Sequence, residues 1–123
     1  MYIPENLRYT KSHEWVRELE GGAYEIGLTD FAQQELGDIV FINVPQPGDT
    51  LTAKTSFADV ESVKAVSEIY SPLDGSVMEV NQTLLDAPES INNAPYETWL
   101  IRAHGTLPAD MLLSAAEYLK LIS

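Results

Sequence analysis

The sequence predicts a mainly β protein with small peripheral helices. Short segments rich in β-branched and aromatic residues recur between turns formed by Gly, Pro, Asn and Asp, which is typical of strands rather than long helices. The chain has 123 residues, of which 45% are hydrophobic, so we expect a single domain over residues 1–123. Helical signals are confined to short pieces, and no repeat is long enough to imply a solenoid.

The first half of the chain contains a predicted hairpin and a predicted buried strand. Residues 14–18 and 24–28 alternate apolar and polar side chains on either side of Gly21-Gly22, which predicts two paired strands. Residues 39–42, Ile-Val-Phe-Ile, form a continuous apolar run closed by a turn rich in Pro and Gly. Such a run predicts a strand with both faces buried.

A second hairpin is predicted around Lys64. Strand-like segments at 56–61 and 66–70 flank the tetrad Ser62-Val63-Lys64-Ala65. This arrangement places Lys64 at the tip of the hairpin, where its ammonium group is exposed on a rigid base.

The remainder of the second half alternates turns and strands. Residues 71–75 supply Pro and Asp-Gly turn chemistry before a predicted strand at 76–80. Residues 81–95 carry turn formers without clear periodicity and predict a long surface loop. A late strand is expected at 99–102, with His104 as a surface residue after it.

Three short helical pieces are predicted. Residues 30–37 begin with an Asp-x-x-Gln pattern that resembles a capping box, and they end with a glycine that stops a helix. Pro108 is expected to open a single turn. Residues 114–117 begin and end with Ser and Glu, a second capping-box pattern that predicts a C-terminal helix.

Composition excludes several classes of function. The formal net charge of −12 repels nucleic acids and anionic membranes. The absence of cysteine excludes disulfides, thiolate zinc sites and a cysteine nucleophile. Residues 1–6 lack the features of a secretory signal or transit peptide, and no apolar run approaches a membrane span. We therefore expect a cytoplasmic protein, with a processed mitochondrial form as the alternative.

Lys64 is the candidate functional residue of the sequence, because the other possible catalytic motifs have structural explanations. Gly21-Gly22 joins two strands and is interpreted as a turn, not a phosphate loop. The run Ser12-His13-Glu14 does not form a triad, because neighbours on a strand point to opposite faces. Chance accounts for carboxylate pairs among 19 acidic residues, and no metal-ligand spacing occurs. Lys64 remains, flanked by Val63 and Ala65 and suited by its position to attachment of a group.

The segment Glu61-Ser62-Val63-Lys64-Ala65 resembles the lipoylation motif of the glycine cleavage system H proteins. The similarity extends over nearly the whole chain, in several blocks that occur in one order. The matching blocks are Tyr9-Thr10-Lys11-Ser12-His13-Glu14-Trp15-Val16, Gly27-Leu28-Thr29-Asp30-Phe31-Ala32-Gln33, Leu36-Gly37-Asp38-Ile39-Val40-Phe41, Tyr70-Ser71-Pro72, Gly75, Glu79-Val80-Asn81, Asn92, Pro95-Tyr96 and Trp99-Leu100.

The resemblance implies a lipoyl/biotinyl-type fold, a flattened barrel or sandwich of two small antiparallel sheets with the modified lysine at a hairpin turn. It also implies lipoic acid in amide linkage to Lys64. Glu61, Ser62, Val63 and Ala65 would form the recognition motif around that lysine.

The same resemblance implies a carrier and not an enzyme, in keeping with a cofactor that performs the difficult chemistry. Its partners would be the pyridoxal-phosphate glycine decarboxylase (P protein), the tetrahydrofolate-dependent aminomethyltransferase (T protein) and dihydrolipoamide dehydrogenase (L protein). The lipoyl group would shuttle an aminomethyl unit from P to T and be reoxidised by L. A lipoate or octanoate ligase or transferase would attach the group. A monomer without nucleic-acid or membrane partners is expected.

Three further residues are implicated by the resemblance as shelter for the loaded arm, namely Ser12, Glu14 and Glu68. Their polar atoms would hold the cationic amine of the arm. The alternative for Glu14 is an exposed strand glutamate beside Trp15 without such a role.

Three positions depart from the family pattern. Thr98 stands where glycine is common, Ser90 stands where an apolar residue is usual, and Asp59 adds a charge near the hairpin.

The lysine motif also has other interpretations. Biotin carriers bracket their lysine with methionines, and lipoyl domains of 2-oxoacid dehydrogenases usually carry an acid immediately before it, so both fit less well. A protein that donates lipoyl groups to other enzymes and an unmodified interaction module are the remaining alternatives.

Overall fold

The computed structural model describes residues 2–108, 110 and 112–123. The strands are β1 (Arg8–Tyr9), β2 (Glu14–Glu18), β3 (Ala23–Leu28), β4 (Ile39–Asn43), β5 (Thr50–Leu51), β6 (Ser56–Ser62), β7 (Val66–Tyr70), β8 (Asp74–Val80) and β9 (Ile101–Thr106). The helices are α1 (Asp30–Leu36), α2 (Gln82–Asp86), α3 (Ser90–Asn93) and α4 (Ala115–Ile122), and a 3₁₀ turn covers Glu20–Gly22.

The strands form two antiparallel sheets, which confirms the predicted fold class. One sheet has six strands in the order β1-β2-β3-β9-β8-β5, and the other has three in the order β4-β6-β7. Both sheets contribute to one apolar core, in which Ile26 and Ile101 from the larger sheet meet Val60 and Ile69 from the smaller one. Burial of these side chains from both sheets holds the two sheets together.

The predicted β2–β3 hairpin is confirmed, and its pairing explains one glycine. Trp15 lies directly opposite Gly27 in the register and is fully buried. A Cβ atom at Gly27 would lie 2.5 Å from the Trp15 ring, so only glycine leaves room for the indole. The indole nitrogen donates to the Pro95 carbonyl oxygen at 2.9 Å, which fixes the ring in this place.

The strand at residues 39–43 forms as predicted, but the prediction that both of its faces are buried is wrong. Ile39 pairs with Ser62 while Phe41 pairs with Glu61, so the strand carries one extra residue at Val40. This β-bulge turns Val40 and Phe41 to the outside, where they are 50% and 52% exposed.

The prediction of a long loop over residues 81–95 is also wrong. The segment contains α2 and α3, whose Leu84 and Ile91 are each 1% exposed. The Asn81 side chain accepts from the Leu84 N–H and caps α2. Because the two helices span a single turn each, they are too short to show a periodic apolar pattern.

The helix ends partly match the predicted caps. Thr29, and not Asp30, is the N-cap of α1, since its hydroxyl accepts from the Ala32 N–H. The stop at Gly37 is confirmed, with φ of 77° in the left-handed region. The capping box of Ser114 and Glu117 at α4 is confirmed with both of its hydrogen bonds.

Two strand bounds differ from the predictions. The strand expected at 76–80 begins at Asp74, and the strand expected at 99–102 is β9, Ile101–Thr106. His104 therefore lies within β9, exposed, and not after it. The turn predicted at Pro108 falls on a segment that includes Ala109 and Met111, which lie outside the described residues.

A second apolar cluster attaches α4 to the start of the chain. Tyr118 stacks on Tyr9 with ring centroids 4.8 Å apart, and its hydroxyl lies 2.8 Å from His13 Nδ1 and 2.7 Å from the Thr29 hydroxyl. These contacts fix the loop between β1 and β2, where Ser12 and His13 lie. Within the described residues no helix is long and apolar enough to cross a membrane.

Candidate functional site

Lys64 lies at the tip of the β6–β7 hairpin, as the sequence predicts. The Ser62 N–H donates to the Ala65 carbonyl oxygen at 2.8 Å and closes the turn. The Ser62 hydroxyl oxygen accepts from the backbone N–H groups of Lys64 and Ala65 at 3.3 and 3.1 Å. The serine side chain thus supplies hydrogen bonds to backbone N–H groups of the three-residue connection, residues 63–65.

The hairpin tip is supported from behind by the loop between α1 and β4. The Val63 N–H donates to the Asp38 carbonyl oxygen at 3.0 Å. A Cβ atom at Gly37 would lie 3.5 Å from Cε of Lys64, so the lysine stem passes close to this glycine. The backbone of Lys64 is therefore fixed between two elements, while the residue itself is exposed.

Asn92 on α3 fixes this supporting loop. Its side-chain amide donates to the Gln33 side-chain oxygen at 3.0 Å and to the Gly37 carbonyl oxygen at 2.9 Å. Its side-chain oxygen accepts from the Ile39 N–H at 2.9 Å. The half-buried Asn92 side chain thereby joins the end of α1 to the start of β4. Its partners Gly37 and Ile39 are the two sequence neighbours of Asp38, whose carbonyl oxygen accepts from the hairpin.

Glu14 is buried, which corrects the alternative of an exposed strand glutamate. It is 1% exposed, and one carboxylate oxygen accepts from the hydroxyls of Thr10 and Ser12 at 2.5 and 2.6 Å. The other oxygen accepts from the Tyr70 N–H at 3.2 Å. A carboxylate has about four acceptor positions, so these bonds leave room for roughly one more donor.

Among the described residues, the hydrogen-bond partners of the Glu14 carboxylate are all neutral. The ion pairs among the described residues join Arg17 to Glu25 and Arg102 to Glu25 and Glu79, and none reaches Glu14. Burial raises the pKa of Glu14 above its usual range, and the donated hydrogen bonds oppose that rise. A buried carboxylate without a cation is electrostatically suited to accept one.

Two concave regions meet at Ser12. The larger, of about 440 Å³, contains Glu14 and two lysines in its lining, which consists of Thr10, Lys11, Ser12, Glu14, Lys54, Tyr70, Ser71 and Asp110. The smaller, of about 250 Å³, lies between α1 and the β6–β7 hairpin. Its lining combines six apolar side chains with five polar ones; it consists of Ser12, His13, Leu28, Phe31, Ala32, Glu35, Leu36, Val60, Ser67, Glu68 and Ile69.

The structure brings together only part of the predicted site. Ser12 and Glu14 are directly hydrogen-bonded, and Glu68, which is exposed, lines the same groove as Ser12. In the recognition motif Ser62 is buried and forms the turn, whereas Glu61, Val63 and Ala65 are exposed.

Sequence reasoning missed two side chains of this region. Thr10 binds the Glu14 carboxylate, and Asn92 holds the loop behind the hairpin. Both stand in blocks of the family resemblance, but their roles depend on contacts between distant parts of the chain. The one local signal was the spacing of Thr10 and Glu14, which lie on either side of the turn between β1 and β2.

Comparisons with known proteins agree with this geometry. Residues 7–123 match the family model for the Glycine cleavage H-protein. The chain is 52% identical over 118 residues to a glycine cleavage system H protein of Lachnoclostridium phytofermentans, covering 96% of this chain and 93% of that one. It is 48% identical over 126 residues to the H protein of Geobacillus thermodenitrificans, covering 100% and 98%. The chain belongs to the glycine cleavage H-protein family.

A solved structure supports the same assignment. The crystal structure of a glycine cleavage system H protein from Mycobacterium marinum superimposes with a TM-score of 0.89 at 37% identity and covers 96% of this chain and 97% of that one. Proteins of this family are lipoyl carriers of the glycine cleavage system and not enzymes, and they carry lipoic acid on a lysine. This member accordingly works with the P, T and L proteins of that system.

The departures from the family pattern are accommodated by local contacts. The Thr98 hydroxyl donates to the Ser90 carbonyl oxygen at 3.1 Å, so two of the unusual residues are hydrogen-bonded to each other. Asp59 accepts from the Asn43 side chain at 2.8 Å on the outer face of the smaller sheet. Neither contact disturbs the Lys64 turn.

Proposed function

We propose that Lys64 of this chain is the residue that carries the lipoyl group, as an amide on its Nζ. The observation that supports the proposal best is the anchored tip, since the lysine backbone is held by the Ser62 turn and by the Val63–Asp38 hydrogen bond while the residue is exposed. Bound there, the group supplies a redox-active disulfide and an attachment point for the aminomethyl unit. The protein supplies position, shelter and charge.

Ser12, Glu14 and Glu68 receive the far end of the arm in this proposal. The lysine stem and its acyl chain make on the order of ten bonds of about 1.5 Å, which reach roughly 12–15 Å when extended. The four residue steps along β7 from Val66 to Tyr70 span about 13 Å. The groove between α1 and the hairpin, with its many apolar side chains, suits an alkyl chain. The Glu14 carboxylate lines the adjoining concave region, which shares Ser12 with the groove, and it suits a protonated amine.

The whole chain, residues 1–123, acts as one carrier domain and as a monomer in this proposal. A lipoate or octanoate ligase or transferase acylates Lys64, and the bacterial sources of the relatives favour a cytoplasmic location. Sedimentation of the lipoylated protein tests the monomer, and cell fractionation tests the location.

Replacement of Lys64 by Arg tests the attachment site. Lys64→Arg keeps the charge and, because the residue is exposed, should keep the fold by circular dichroism, but it removes the amine that is acylated. We expect complete loss of lipoylation by intact mass and of glycine–bicarbonate exchange with the P protein. Lys120→Arg, at another exposed lysine that lines neither concave region, serves as the matched control and should retain lipoylation of Lys64 and the exchange activity. A lipoyl group on another residue of the wild-type protein, found by peptide mass spectrometry, would refute the assignment.

A further inference from the structure

Four exposed apolar side chains surround the hairpin tip. Val40, Phe41, Val63 and Val66 are 50%, 52%, 67% and 64% exposed, and we call them the outer patch. Phe41 pairs with Glu61, and Glu61 pairs with Val66, so these three residues form one row across the smaller sheet. Residues directly opposite each other in a sheet lie on the same face, so Phe41 and Val66 lie on either side of Glu61.

The outer patch depends on the bulge in β4. Strict alternation along the strand would place Ile39 and Phe41 on the same face, and Ile39 is buried in the core. The extra residue at Val40 shifts the alternation, so Ile39 and Ile42 are both buried and Phe41 faces outward. Bulges commonly redirect a side chain beside a functional site. Exposed apolar residues that cluster in this way mark interaction surfaces.

The length of the lipoyl arm determines which kind of enzyme must contact the outer patch. Enzymes that use the lipoyl group meet its far end, roughly 12–15 Å from the hairpin backbone, so they can act without contacting the outer patch. An enzyme that acylates Lys64 must bring its own reacting carbonyl into contact with Nζ, at the end of the bare lysine. Its surface must therefore touch the side chains that flank the hairpin tip.

We propose that the outer patch is the contact surface for the enzyme that acylates Lys64, with Phe41 as its central anchor. The inference deepens the proposed function and rests on Lys64 as the acylated residue. The acidic side chains on the same face define the chemistry of the partner: Glu61 lies within the row, and Asp59 pairs with Glu68 in the next one. The complementary surface combines an apolar centre with basic residues at its rim.

The test compares acylation of apo-protein variants by a purified lipoate ligase. The variant Phe41→Gln/Val66→Thr removes the two apolar residues of the row at exposed positions, where the fold does not depend on them. The matched control is Leu119→Gln/Leu121→Gln, which removes two leucines of α4 that are 51% and 46% exposed. Far-ultraviolet circular dichroism and thermal unfolding verify that each variant is folded.

We expect the outer-patch variant to lose about tenfold or more in kcat/KM for acylation, because loss of an aromatic anchor at an interface commonly has an effect of this size. The control should stay within twofold of wild type. The KM of the wild type should rise with salt concentration. Once fully lipoylated with excess ligase, the outer-patch variant should support glycine–bicarbonate exchange within twofold of wild type.

The outcomes separate this inference from the proposed function. Absence of a lipoyl group on Lys64 in the wild-type protein would refute the proposed function. Wild-type acylation at Lys64 combined with an unchanged kcat/KM for the outer-patch variant would refute the contact surface alone. A fall in exchange activity as large as the fall in acylation would also overturn the inference, because it would assign the surface to an enzyme that uses the arm.

Discussion

Asn92 holds the loop behind the lysine hairpin, and removing its amide should weaken both the fold and the hairpin tip. Asn92→Ala deletes three hydrogen bonds, to Gln33, Gly37 and Ile39. Each contributes about 0.5–1.5 kcal/mol net, and an N–H left without a partner adds to the loss. The expected decrease in the free energy of unfolding is therefore about 2–4 kcal/mol.

Urea unfolding followed by circular dichroism measures that decrease, and Asn93→Ala provides the control. Asn93 is the next residue of α3 and is exposed, so its replacement should change the free energy of unfolding by less than about 0.5 kcal/mol. Similar losses for the two variants would refute the role assigned to Asn92.

A second readout separates positioning from general stability. The Val63 N–H donates to the Asp38 carbonyl, which lies between two anchors of Asn92, so its hydrogen exchange should accelerate in Asn92→Ala under native conditions. The buried amides of β3, in the larger sheet, should be affected only through global unfolding. Unchanged exchange at Val63, relative to those amides, would show that the loop does not depend on Asn92.

Two further predictions concern Gly27 and Glu14. Gly27→Ala places a Cβ 2.5 Å from the fixed Trp15 ring and should lower the free energy of unfolding by about 1–3 kcal/mol, measured in urea; an unchanged value would contradict the packing argument. Burial raises the folded-state pKa of Glu14, so this carboxyl group stabilises the fold most below its ordinary pKa, and that stabilisation is lost as pH rises towards the folded pKa. Unfolding between pH 4 and 7 should therefore show Glu14→Gln gaining stability over wild type as pH increases, and a difference that does not change with pH would contradict the environment assigned to Glu14.

The hairpins and their turns were predictable because their signals are local. Alternation on both sides of Gly21-Gly22 predicted β2 and β3, and strand-like segments around Lys64 predicted β6 and β7. A turn between two alternating segments leaves little freedom in register, because a shift by one residue would expose the apolar face. The same pattern predicts the position of Lys64 at the hairpin tip.

The parts that sequence reasoning missed depend on contacts between distant residues. An apolar run has no alternation, so nothing in residues 39–42 shows that a bulge turns Phe41 outward. Burial of Glu14 requires Thr10 from its own loop and the Tyr70 N–H from the other sheet. Carboxylates are mostly exposed in proteins, so the residue type alone predicts an exposed Glu14, whereas Glu14 is buried.

A lipoyl carrier needs a fixed lysine backbone and a mobile arm, and different residues serve these two needs. An acylating enzyme needs Nζ at a defined point, so the backbone behind Lys64 is tied to Asp38 and, through the adjoining residues, to Asn92. An arm that serves three enzymes must also leave the surface easily, and the groove proposed to receive it has a lining in which apolar side chains outnumber polar ones. In the proposed function, the buried Glu14 carboxylate, which is in no ion pair among the described residues, favours a cationic arm over a neutral one, so retention of the arm depends on what it carries. On this proposal the carrier holds the arm when it bears the amine and releases it when it does not.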